Sequence, residues 1–173
     1  MLNRIRLILG FFPLIKELPF DLPGHIYTST MPFGLYDPKG EVFSAYQAAG
    51  VAAVVVLSSQ EEMISKTKQD LLAFYARNGL QTIYLPITDF STPDVVALNT
   101  ALEEVIYIAK NGQNVVIHCS AGIGRTGTFA ACLAKQVFAI SGEEAIRWVR
   151  KYIPAAVETP DQMRFVYDFN EEG

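Results

Sequence analysis

Cysteine, histidine and charge are all scarce in this chain. The only cysteines are Cys119 and Cys132, a usage that fits a reducing cytosol. Two histidines and no Cys/His cluster argue against a metal site, and nothing calls for a cofactor. Charged residues make up 18% of the chain against 50% hydrophobic, and the formal net charge is −4. That balance gives no case for nucleic acid as a partner. It also draws in no anionic substrate, so any such attraction must be local. Internal repeats, low-complexity tracts and charge blocks are missing. So is a long apolar run. Arg4 and Arg6 precede Leu7 to Ile15, which Pro13 interrupts. This stretch is too short to span a bilayer and lacks the cleavage site of a signal peptide. Residues 1–21 therefore read as an apolar arm on the domain. Weak membrane-surface association by residues 1–20 is the alternative, without stable insertion. Residues 22–173 have the length and apolar content of one domain with a full core.

Within that domain strand and helix signals alternate. His25 to Thr28 reads as a short strand, and Glu41 to Ala49 as a helix closed by Gly50. Ala52 to Leu57 is a continuous apolar run, the mark of a strand buried on both faces. Ser58-Ser59-Gln60-Glu61-Glu62 follows as a polar loop, and Lys66 to Asn78 as a helix stopped by Gly79. Thr82 to Leu85 is the next strand. Thr92 is read as the cap of a helix with Pro93 at its first position and a core stripe of Val95, Leu98, Leu102, Val105 and Ala109. Val115 to His118 returns as a strand. Three helices close the chain: Arg125 to Ala139, Glu143 to Tyr152 and Pro160 to Phe169. Ser141 with Glu144 and Thr159 with Gln162 fit capping boxes. The pattern predicts an α/β fold, a central and largely parallel sheet with helices on both faces. In such sheets ligands sit beyond the carboxyl ends of the strands, where the loops after Leu57, Leu85 and His118 must lie.

The last of these loops carries the chemistry. His118-Cys119-Ser120-Ala121-Gly122-Ile123-Gly124-Arg125-Thr126-Gly127 is a strand end, a tight loop and a helix start. Gly122 and Gly124 permit the positive φ angles of a loop coiled round a small anion. The backbone N–H groups of Ser120, Ala121, Gly122, Ile123 and Gly124, with the helix N-terminus, form a nest for phosphate. Arg125 adds a planar, bidentate fork for phosphate oxygens. The same positive field favours the thiolate of Cys119, which places a nucleophile beneath the nest.

This string resembles the signature loop of the cysteine-dependent protein tyrosine phosphatases, His-Cys, five residues, Arg, then Ser or Thr. Pro86-Ile87-Thr88-Asp89 resembles the mobile aspartate loop of compact dual-specificity members, and Pro86 to Val105 looks most like their kinase-associated phosphatase branch. The resemblance implies the following roles. Cys119 takes the phosphoryl group, Arg125 holds it, and Asp89 protonates the leaving oxygen. Asp94 is the rival aspartate, better explained as a first-turn charge on the following helix. Thr126 is expected to donate a hydrogen bond to the Cys119 sulfur, and His118 to tune the thiolate through bonds around the loop. Gln162 either positions the hydrolytic water or only completes its capping box. Glu62 occupies the place of an acidic loop residue in that branch, but Gln60 replaces its companion arginine. No Asn-Arg-Tyr recognition segment is found near the N-terminus, which implies a shallower pocket.

The function so implied is hydrolysis of phosphomonoesters of a phosphorylated protein or peptide: phosphotyrosine, with phosphoserine and phosphothreonine beside it. A phosphoinositide or small-molecule phosphatase on the same scaffold is one alternative. Lipid-directed relatives carry lysines inside the loop, whereas Ser120, Ala121 and Ile123 are uncharged. A non-catalytic phosphate-binding module is the other.

Overall fold

A computed structural model describes residues 13–170. Arg4, Arg6 and the first part of the apolar arm, with its membrane-surface reading, lie outside the described residues. The remainder of the arm contributes a strand. Among the described residues, five strands form one sheet: β1 (Ile15–Leu18), β2 (Ile26–Ser29), β3 (Val51–Val56), β4 (Gln81–Tyr84) and β5 (Asn114–His118). Their order is β1-β2-β5-β3-β4; β1 runs antiparallel to β2, and every other pairing is parallel. The fold is therefore the expected α/β sheet. The parallel register brings Ser29 beside His118 and Val56 beside both His118 and Tyr84, so β2, β3, β4 and β5 end at one edge.

Among the described residues, seven helices cover the two faces: α1 (Glu41–Ala48), α2 (Gln60–Thr67), α3 (Leu71–Arg77), α4 (Val95–Lys110), α5 (Gly124–Phe138), α6 (Gly142–Val149) and α7 (Pro160–Asp168). Alternation along the strands divides the core. Val54, Val56 and Val116 point to one face, packed with Val42, Phe43 and Tyr46 of α1, Met63 of α2 and Leu71 and Tyr75 of α3. Ala53, Val55, Val115 and Ile117 point to the other, against α4, α5, α6 and α7. On that side α5 is buried along most of its length. Its small residues make the burial possible: a Cβ on Gly127 would collide with Ala156.

The structure moves three helix boundaries. The Ser58–Glu62 stretch is not a loop, because Ser59 caps α2 by accepting the Glu62 N–H. The helix read over Lys66 to Asn78 is two helices. Lys68 adopts a left-handed conformation, φ 63, and Asp70 caps α3 by accepting from Ala73 N. Asp94, not Thr92, caps α4, with Ala97 N donating to Oδ1 at 2.9 Å. The carboxylate that was assigned to the first turn is the cap itself. Val95 accordingly sits at the exposed helix start, while Leu98, Leu102, Val105 and Ala109 are buried. Both expected capping boxes are present. Among the described residues, no helix is long and apolar enough to cross a membrane.

Candidate active site

The loop between β5 and α5 is fixed from several sides. Leu57 N donates to the His118 carbonyl at 3.0 Å and Met31 N to the Ser120 carbonyl at 3.0 Å, which ties the loop to β3 and to the segment after β2. Gly122 has φ +74, and a Cβ there would collide with the Ser29 carbonyl. Gly124 does not share that conformation. It is the first residue of α5, and a Cβ on it would lie 2.5 Å from Oε2 of Glu158. Cys119 is 3% exposed, and its Sγ accepts the Gly122 N–H at 3.3 Å.

His118 is fully buried. Its Nδ1 lies 3.1 Å from the Cys119 carbonyl and its Nε2 2.9 Å from the Tyr75 hydroxyl. A carbonyl can only accept, so Nδ1 carries the proton and Tyr75 donates to Nε2. Burial is the main cause that lowers the His118 pKa to about 4, so the ring is neutral. It braces the loop rather than exchanging protons. Thr126 departs from expectation. Its hydroxyl is buried without a hydrogen-bond partner, so the bond to the Cys119 sulfur is not formed here.

Arg125 is 2% exposed, and its guanidinium is held by groups from α2 and from the loop after β4. Nη1 and Nη2 donate to the two Glu62 carboxylate oxygens at 2.7 and 2.9 Å. Nη1 also donates to the Ile87 carbonyl at 3.0 Å, and Nη2 lies 3.2 Å from Oδ1 of Asp89. Burial opposes the Arg125 charge, but Glu62, Cys119 and Asp89 outweigh it and raise the pKa. Burial would likewise raise the Glu62 carboxyl; bonds from Arg125 and Lys66 reverse this and hold it at about 2. Lys66 Nζ donates to Glu62 Oε1 at 2.7 Å and to Ser120 Oγ at 2.9 Å.

Asp89 follows β4 and sits on an exposed turn. Ile87 N donates to the Leu57 carbonyl, which continues the sheet pairing up to that point. Beyond it the turn leans on the start of α7: Thr159 Oγ1 donates to the Phe90 carbonyl and Gln162 Nε2 to the Ser91 carbonyl. Gln162 is fully buried, and its Oε1 accepts from Glu158 N and Thr159 N. Its amide is thus committed to backbone groups, as the capping-box reading has it. Cys132 lies in the core of α5, where burial pushes its thiol up, far from the loop's chemistry.

These groups line one cleft of about 510 Å³, with Cys119, Ser120, Ala121, Ile123, Gly124, Arg125 and Asp89 among its walls. Leu35, Tyr36, Lys66, Phe90 and Glu158 complete it. The sequence reading had not singled these out, and it left the role of Glu62 open. A loop over Ser58–Glu62 and a helix from Lys66 put Glu62 and Lys66 on different elements, whereas both lie on α2; the Ser-x-x-Glu spacing of Ser59 and Glu62 is the available signal. No group of side chains suited to a metal ion occurs among the described residues.

A family model described as a polymorphic toxin system DSP-PTPase phosphatase matches residues 33–137, a stretch that contains both the Asp89 turn and the Cys119 loop. The chain belongs to the DSP-PTPase phosphatases. Among curated proteins, cyclin-dependent kinase inhibitor 3 from Homo sapiens and from Rattus norvegicus are each 30% identical over 128 residues. The match takes in 73% of this chain and 60% of theirs, so the chain spans less than two thirds of the length of these relatives. Among solved structures, kinase associated phosphatase with its catalytic-site cysteine replaced by serine superimposes with a TM-score of 0.82 at 24% identity, covering 91% of this chain and 94% of that one. Tk-PTP in its active form gives 0.76 at 29% identity, covering 94% and 100%. This DSP-PTPase phosphatase thus shares its fold with kinase associated phosphatase.

Proposed function

We propose that the chain hydrolyses phosphomonoesters of proteins, phosphotyrosine together with phosphoserine and phosphothreonine, through a phosphocysteine at Cys119. The observation that carries this reading is the state of Arg125. A guanidinium offers five N–H donors. Glu62, Ile87 and Asp89 take those of Nη1 and Nη2, while Nε is buried without a partner. A buried donor left so costs roughly 1–3 kcal/mol, which a ligand supplying the acceptor recovers. Nε and Nη2 form one edge of the planar group. Two phosphate oxygens on that edge would satisfy Nε and replace Asp89 Oδ1 on Nη2.

The displaced Asp89 carboxylate takes up a proton from water and turns to the ester oxygen. The Cys119 sulfur attacks phosphorus, the P–O ester bond breaks, and the Asp89 proton passes to the leaving oxygen. In the second step water attacks phosphorus, the P–S bond breaks, and the water proton returns to Asp89. Inorganic phosphate and the thiolate are regenerated. Gln162 holds the turn that carries Asp89, and Thr126, in the first turn of α5, has an unpartnered hydroxyl available for the second step. The relatives named as kinase inhibitor and kinase associated phosphatase support a phosphorylated protein as substrate. A reducing cytoplasm suits a thiolate that must stay unoxidised.

The test is Cys119→Ser. Turnover of a phosphotyrosine peptide should vanish while the peptide still binds, because the cradle survives and a hydroxyl in it is far less acidic than a thiol. Substantial turnover by the purified variant would sink the assignment, as would failure of the wild type to form an acid-stable phosphoenzyme on quenching.

A further inference from the structure

The cleft is charged differently on its two sides. Lys66 stands beside Ser120 on one, bonded to Glu62 and to the Ser120 hydroxyl. On the other, Glu158 reaches over the first residue of α5, where its Oε2 occupies the space a Gly124 side chain would need. Its main chain is fixed, since Glu158 N donates to Gln162 Oε1 at 2.8 Å. Its carboxylate is exposed, and among the described residues no cation and no hydrogen-bond donor meets it. Both cations of the cleft are already paired, Arg125 with Glu62 and Asp89, Lys66 with Glu62. An unneutralised carboxylate at the rim of a phosphate cradle works against every anion that approaches. A single phosphate is held by the nest and by Arg125; a second one beside it gains neither.

We infer that Glu158 is a charge filter, selecting phosphomonoesters whose neighbouring group is uncharged against those that carry a second phosphate next to the scissile one. The inference rests on the phosphatase reading and sharpens its substrate class. Leu35, Tyr36, Phe90 and Ile123 make the rest of the mouth apolar, which suits a neutral body behind the phosphate. The uncharged residues of the loop offer a second phosphate no attraction, and Glu158 adds repulsion, the element from which selectivity is most readily built. Two charges about 6 Å apart at a wet protein surface still interact enough to shift an affinity by roughly tenfold.

Phenyl phosphate and 1,2-phenylene bisphosphate form a matched pair of probes. For the wild type, kcat/KM should favour the monophosphate, and the preference should weaken as salt rises. Glu158→Gln should cut the preference roughly tenfold and remove its salt dependence, while Glu158→Asp keeps both. An unchanged ratio in Glu158→Gln overturns the filter. So does an equal loss of kcat on both probes with a burst of phenol release, which would assign the carboxylate to hydrolysis of the phosphoenzyme. Calorimetric titration of the same probes into Cys119→Ser, with and without Glu158→Gln, measures the ratio without turnover. If the wild type hydrolyses neither probe, the phosphatase reading fails, and the filter stands or falls on that binding ratio alone. A protein that binds neither overturns both.

Discussion

The Cys119 loop and the Asp89 turn serve one cleft but are built in opposite ways. Cys119 and Arg125 are 3% and 2% exposed; the loop between them is bonded to Met31 after β2 and to Lys66 of α2, and His118 before it to Leu57 after β3. The Asp89 side chain is 54% exposed, Phe90 beside it is 59% exposed at φ 61, and two side-chain bonds from α7 hold the turn. Gripping a phosphate needs many donors fixed before it arrives. Delivering a proton needs one group that can leave Arg125 and reach the ester oxygen. The buried half is over-determined, and the exposed half is held by few bonds.

Breaking the rigid half should cost most. Arg125→Lys replaces the fork by a point charge that cannot span Glu62 and two phosphate oxygens together. The rate should fall by about 10³–10⁵, with weaker phosphate binding; near-normal kcat/KM on a phosphotyrosine peptide would refute the cradle. In the exposed half, Asp89→Asn should slow cleavage of phenyl phosphate by about 10²–10⁴ and leave binding in place. The loss should shrink for p-nitrophenyl phosphate, whose leaving group departs without help. Asp94→Asn is the comparison, expected to keep the α4 cap and lose only its charge at the helix start, about 0.3–1 kcal/mol in stability. A leaving-group-dependent loss in Asp94→Asn alone would transfer the role.

A smaller effect concerns the strut behind Arg125. The Glu62 carboxyl is held at about 2 against an ordinary 4.5. A depressed carboxyl stabilises the fold fully above its unfolded pKa and loses that contribution as pH falls through the folded one. Glu62 should therefore support the wild type above pH 4.5 and cease to as pH approaches about 2. Glu62→Gln should lower stability at neutral pH by on the order of 2 kcal/mol and flatten the acid limb of thermal melts. Parallel wild-type and variant curves across that window would remove Glu62 from the account. The least effect is expected of Gln162→Ala, about 1 kcal/mol in stability. It should also lower kcat for phenyl phosphate more than for p-nitrophenyl phosphate, because it loosens the turn that carries the acid. Equal losses on the two esters would leave Gln162 as a cap only.

The difference between the halves also governs what could be read from residues alone. The Cys119 loop is contiguous, so its nucleophile, nest and fork stand in one string with a spacing that chemistry dictates. The Asp89 turn is nearly as legible, because β4 before it and the α4 start after it are strong local signals. The struts are not contiguous. Glu62 and Lys66 come from α2, which has few apolar residues to show a helical period; only Met63 and Thr67 are buried. Lys68 in the left-handed region breaks the pattern without a glycine to announce it. Glu158 lies in a connection after α6, where one acidic residue carries no sign that the chain folds it back over Gly124. The sheet was readable because parallel strands buried on both faces leave unbroken apolar runs.

The short antiparallel strand β1 has a meaning beyond its size. Without it β2 would be the rim of the sheet, with Ile26 to Ser29 presenting unpaired N–H and C=O groups to solvent. Such a rim is a template for the strand of another molecule. Four residues, Ile15 to Leu18, occupy it instead, and Lys16 and Glu17 at its centre put charges of both signs on the new border. The strand carries no chemistry, yet it is what keeps a sheet with so apolar a middle from joining its neighbours.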